Sequence, residues 1–98
     1  EVWGMNRDIV LDYSHPFYRL DDKGVLAFIE RLKAHPEVTF VDKITVTLAH
    51  KAAAPKVDFY SFTYKNGSLS VVYNPFEGHL LQYKGLKEEE ARKVIDNV

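Results

Sequence analysis

The sequence predicts an α+β domain of order β-α-β-β-β-β-α: a curved, mostly antiparallel sheet with two helices packed on one of its faces. Three observations carry this. Residues 56–65 and 68–74 are two aromatic and β-branched runs joined by Asn66-Gly67, and that dipeptide between such runs is the strongest short-range signal of a β-hairpin. Two segments repeat apolar residues at helical spacing, Val25, Phe28, Ile29 and Leu32 in one and Ala91, Val94, Ile95 and Val98 in the other. Every other connection is short, and short connections make neighbouring strands antiparallel.

In the hairpin, period-2 alternation puts Tyr60, Phe62 and Tyr64 on one face and Val57, Phe59, Ser61 and Thr63 on the other. Both faces of this strand are partly apolar. It therefore belongs inside a sheet that is covered on one side and partly covered on the other. The returning strand places Leu69, Val71 and Tyr73 opposite Ser68, Ser70 and Val72.

Along the chain, residues 7–13 read as a first strand with Ile9, Leu11 and Tyr13 on one face, ended by His15-Pro16. Phe17, Tyr18 and Leu20 form an apolar connection. Asp21 or Asp22 can cap a helix running from about Asp22 to Ala34, which His35-Pro36 stops. Residues 38–49 alternate again, with Phe40, Ile44, Val46 and Leu48 in the apolar phase and Thr39, Lys43, Thr45 and Thr47 toward solvent. Asp42 and Val41 break the phase, which signals either a β-bulge or an overhang. A loop follows at 50–55, and after the hairpin come a turn at 74–78, a short last strand at 79–84 and the second helix from about Leu86. Glu88, Glu89 and Glu90 open that helix, where the dipole favours negative charge. The expected core is Tyr60, Phe62, Ile44, Val46, Leu69, Val71, Phe28, Ile29, Leu32, Val94 and Ile95.

Wrapping such a sheet around the first helix resembles the cystatin-like arrangement, or a BLIP-like one. The resemblance is one of topology and implies only the fold. The Gln-Val-Gly inhibitory loop of cystatins is absent, so their protease inhibition does not carry over. The order from Asp22 onward, α-β-β-β-α, is also similar to a double-stranded RNA-binding domain, but Leu86-Lys-Glu-Glu-Glu stands where such a domain needs a basic helix end.

Composition narrows the function classes. The 98 residues suit one domain, 1–98, and contain no cysteine, which removes thiol nucleophiles, disulfides and cysteine-based zinc sites. No apolar run reaches the ~18 residues of a membrane span, so a soluble chain without a membrane span is expected. Glu1 rather than Met at the start leans the reading toward an exported or processed chain. The net charge of −1 divides unevenly: five basic and eight acidic residues in 1–42, five and two in 43–84, three and four in 85–98.

His15, His35, His50 and His79 sit singly at turns and element ends, without the paired spacing of metal ligands, so neither metal nor cofactor is expected. The glycines do not form a phosphate loop. The chain thus reads as a non-catalytic interaction module, an inhibitor or accessory domain in kind, meeting a protein partner or another copy of itself through sheet edge and loops. The candidate edge strands are 7–13 and 79–84. Trp3, Phe17, Tyr18, Phe76 and Tyr83 are the candidate contact residues, because interface centres favour aromatic side chains. Ranked below this is a nucleic-acid-binding alternative through Lys43, Lys51, Lys56 and Lys65, with Tyr60, Phe62 and Tyr64 as stacking rings. A third reading is a small hydrolase or isomerase that pairs Asp12 with His15.

Overall fold

The structure, a computed structural model, describes residues 9–47 and 56–97. The described residues form five strands and two helices: β1 (Ile9–Val10), α1 (Asp22–Ala34), β2 (Val38–Thr47), β3 (Lys56–Tyr64), β4 (Gly67–Tyr73), β5 (Leu80–Lys84) and α2 (Glu88–Asp96). A 3₁₀ turn at Pro16–Arg19 precedes α1. All strand pairs are antiparallel, in the order β1-β5-β4-β3-β2. This is the α+β arrangement the sequence predicts, with β2 to β5 as a meander and β1 closing the far edge beside β5.

Helix α1 occupies the expected residues. Asp21 Oδ1 accepts from Gly24 N at 2.7 Å, supplying one of the amide partners that a helix start lacks. Helix α2 carries its three glutamates in the first turn, and Glu90 Oε1 accepts from Lys87 N at 3.2 Å. Both helices press on one face of the sheet: Val25, Phe28, Ile29, Leu32, Ala91, Val94 and Ile95 join Tyr60, Phe62, Tyr64, Leu69, Val71, Leu81 and Tyr83 in one buried cluster.

Three expectations are corrected. The first strand ends before residue 13, its expected residues 7 and 8 lying outside the described ones: past Val10, among the described residues, Leu11 N alone continues the ladder, donating to Leu81 O at 2.8 Å, and Leu11 is buried while Ile9 and Tyr13 are exposed. The hairpin turn is Lys65-Asn66, one residue earlier than expected, and the positive φ falls on Lys65, at +53°. Gly67 lies in β4 and is needed for space instead, because a Cβ there would sit 2.5 Å from Lys84 O and 2.6 Å from Leu86 Cγ.

The third correction concerns β2. Its register with β3 slips between Phe40 and Asp42, leaving Val41 as an extra residue, and a bulge of this kind reverses which face later side chains take. Val38 and Phe40 stand opposite Tyr64 and Phe62 on the helix side, whereas Ile44 and Val46 stand opposite Phe59 and Val57 on the other. Ile44 and Val46 are therefore not core residues but are 53% and 41% exposed.

Candidate functional site

The helices cover one face of the sheet, and the side chains that alternate away from them define the opposite, outer face. Register places Ile44 beside Phe59 and Phe59 beside Val72, while Val46 lies beside Val57 and Val72 beside Leu80. These six residues form an apolar field at one end of the outer face. Toward the other end the same rows continue as Ser61, Ser70 and Gln82, then Thr63, Ser68 and Lys84. Val57 and Val72 are buried at the floor of the field, Leu80 is partly buried, and Phe59 remains 38% exposed.

Two shallow depressions mark this face. One, of about 280 Å³, is lined by Val46, Val57, Phe59, Val72 and Leu80 and bordered by Asn74, Glu77 and Gln82. The other, of about 420 Å³, runs over Ile44, Val46 and Phe59 to Ser61, Ser70 and Gln82. The turn that supplies Asn74 and Glu77 also holds Phe76, which is 59% exposed. Asn74 Oδ1 accepts from both Phe76 N and Glu77 N at 3.0 Å, and Gly78 N donates to Asn74 O at 3.0 Å, so the turn has a set shape.

Of the five aromatic residues singled out in the sequence, Phe76 is the described one that stands exposed. Phe17 and Tyr83 are buried and belong to the core, which corrects their assignment as contact residues. The ring of Phe17 packs against Phe28 and Tyr18, each at 5.1 Å between centroids. Tyr83 alternates onto the helix face opposite Leu69, and β5 is an interior strand rather than the edge the sequence suggested. Tyr18 is partly buried, and its hydroxyl donates to Leu81 O at 3.1 Å and accepts from Leu81 N at 3.3 Å, completing the ladder where β1 runs out. Burial pushes the Tyr18 phenol above its ordinary pKa. Trp3 lies outside the described residues.

The described lysines of that set do not converge. Lys43 lies over the neighbouring strand β3, with Nζ 3.8 Å from Asp58 Oδ2 and 5.5 Å from the centre of the Tyr60 ring. Lys56 opens β3, and Lys65 lies beyond its far end with Nζ 5.4 Å from the Tyr64 ring centre, so the two are separated by about 30 Å of extended chain. Lys51 is outside the described residues. Tyr60, Phe62 and Tyr64 are buried under the helices and offer no stacking platform.

The expected Asp12–His15 pair does not form through side chains. Asp12 accepts from Ser14 N at 3.0 Å and from Arg92 Nη2 at 2.9 Å; the Ser14 hydrogen bonds, with the Arg92 guanidinium adding to them, hold its carboxyl below the ordinary range. Arg92 also meets Glu88 at 2.9 Å, and that hydrogen bond raises its already high pKa. His15 is buried. Its Nδ1 accepts from Phe17 N at 3.1 Å and its Nε2 lies 2.8 Å from Asp96 Oδ1. With Nδ1 occupied as an acceptor, the ring hydrogen sits on Nε2 and is donated to Asp96. Both nitrogens thus tie the 3₁₀ turn to the end of α2, and neither can exchange a proton with a substrate without breaking one of these bonds.

A shallow cleft of about 300 Å³ beside this pair is lined by Pro16, Phe17, Leu20, Phe28, Arg31 and Ile95 as well as His15 and Asp96. His79 repeats the geometry: Nδ1 accepts from Asn74 N at 3.0 Å and Nε2 is 2.8 Å from Asp22 Oδ1. Among the described residues, no three His, Asp or Glu side chains gather as a metal-holding group, and no helix is long and apolar enough to cross a membrane.

The fold and its two faces define a small α+β domain with helices on one side of an antiparallel sheet. In comparison with known proteins the chain matches no family model, no curated protein and no solved structure.

Proposed function

We propose that the chain is a non-catalytic protein-binding module, of the kind that serves as an inhibitor or accessory domain, and that it receives its partner on the outer face of the sheet. One observation carries this reading: Ile44, Val46 and Phe59 stand exposed together over a floor of Val57 and Val72. A contiguous apolar patch rimmed by polar residues is the usual mark of an interaction site. Its rim supplies hydroxyl and amide groups from Ser61, Ser70 and Gln82, the mixture found around protein interfaces. Phe76, held on a shaped turn at the border of the patch, adds an aromatic anchor.

The histidines support a scaffold role in this reading. His15 and His79 fasten connecting segments to the helices and leave the outer face to do the binding. Affinity capture with the tagged wild-type chain beside Phe59→Asp tests the proposal. Proteins retained by the wild type and lost by the variant, with circular dichroism unchanged, are the expected result. Recovery of the same proteins by both chains would refute it.

A further inference from the structure

We propose that β2 pairs with β2 of a second copy, joining two sheets edge to edge about a two-fold axis at Thr45. Among the described residues β2 has a strand neighbour on one side only, and the backbone groups of its other side meet no described strand, the condition under which an edge accepts another strand. Proteins commonly protect such an edge with an outward lysine or a bulge. Here Lys43 is turned back onto Asp58 and Tyr60, and the bulge is confined to Val41, after which Asp42 to Thr47 pair regularly with Ser61 to Lys56.

Antiparallel geometry and charge select the register. Outward-pointing amides and carbonyls alternate along a strand, so opposed residues must share parity. A two-fold axis between identical strands must therefore make one residue face its own copy. Centring on Asp42 or on Lys43 opposes like charges, which is destabilising. Centring on Ile44 sets the Asp42 carboxylate against Val46. Centring on Thr45 opposes Ile44 to Val46 of the second copy and Lys43 to its Thr47, and keeps both charges clear of their counterparts.

The outer face then carries unbroken apolar rows across four strands, running Phe59, Ile44, then Val46 and Val57 of the second copy. An isologous contact of this kind closes as a dimer and leaves no further β2 edge exposed. A second copy is favoured over an unrelated strand because the uncharged stretch Ile44 to Thr47 complements itself, with both charges of this half-strand at its beginning. The dimer concerns the edge of the sheet, and its test uses Thr45 and Lys43 on the helix side, so it can fail or succeed independently of Phe59.

Because the chain has no cysteine, a single introduced thiol reports the register directly. In Thr45→Cys the two opposed Cα atoms would be about 4.5–5.5 Å apart, within disulfide reach. In Lys43→Cys the two copies would be about 13 Å apart along the strands. The expected results are a wild-type mass by light scattering that rises to a dimer with concentration, a reversion to monomer in Thr45→Lys, which opposes two like charges at the axis, with circular dichroism retained, and disulfide dimers in Thr45→Cys but not in Lys43→Cys. A wild-type mass that stays monomeric from micromolar to near-millimolar concentration overturns the proposal, as does cross-linking of Thr45→Cys no greater than that of Lys43→Cys.

Discussion

Gly67 shows how a single residue can be required for space rather than for backbone freedom. Its Cα faces Gly85, whose φ is +75°, and an added Cβ would meet Lys84 O, Leu86 Cγ and the Gly85 carbonyl carbon within 2.9 Å. Two of these three neighbours are backbone atoms. Gly67→Ala is expected to lower stability by about 1–3 kcal/mol, the usual cost of overpacking, as read from a denaturant midpoint. Asp12 makes a second prediction. Its folded-state pKa is depressed below 3.8, so the charge contributes stability above that value, and the contribution is lost as pH falls through the folded value. Asp12→Asn should therefore be less stable than the wild type near neutrality and indistinguishable from it at the acid end. A difference that persists unchanged throughout acid titration would contradict the pairing with Ser14 and Arg92.

At the scale of the element, β2 decides which residues pack. The bulge at Val41 sends Ile44 and Val46 to the outer face, while Leu69 remains fully buried under the helices. Leu69→Ala is expected to cost about 2–5 kcal/mol, and Ile44→Ala to change stability by no more than about 0.5 kcal/mol. Thermal melts of the two variants compare them directly; equal losses would place Ile44 back in the core. Helices and strands were legible because they rest on local signals: the Asp21 cap, the His35-Pro36 stop, and the alternation through Tyr60, Phe62 and Tyr64. The phase of β2 beyond Asp42 was half legible: Val41 and Asp42 mark the break where the bulge falls, but Phe40, Ile44 and Val46 keep even spacing in the sequence, so the change of face after it did not show. The outer face was half legible, in the apolar residues on both sides of β3. Phe17 and Tyr83 misled because aromatic rings at an element's end serve core and interface equally well, and only tertiary packing separates the two: Phe17 against Phe28 and Tyr18, Tyr83 opposite Leu69 under the helices.

For the whole molecule, the consequence is an unequal covering of one sheet. Two helices and the 3₁₀ turn seal the face built by Tyr60, Phe62, Leu69, Val71, Leu81 and Tyr83. On the other face Ile44, Val46 and Phe59 remain exposed among the described residues. His15 with Asp96 and His79 with Asp22 hold the helix side together. The most direct measurement of that division places a photoreactive benzophenone side chain at Phe59 on the outer face or at Glu89 on the exposed side of α2, followed by irradiation with the protein's own cellular contents. Cross-linked protein adducts at position 59 and few at position 89 are the expected result. Adducts of equal yield and identity at both positions, or adducts at position 89 alone, would contradict a binding role for the outer face.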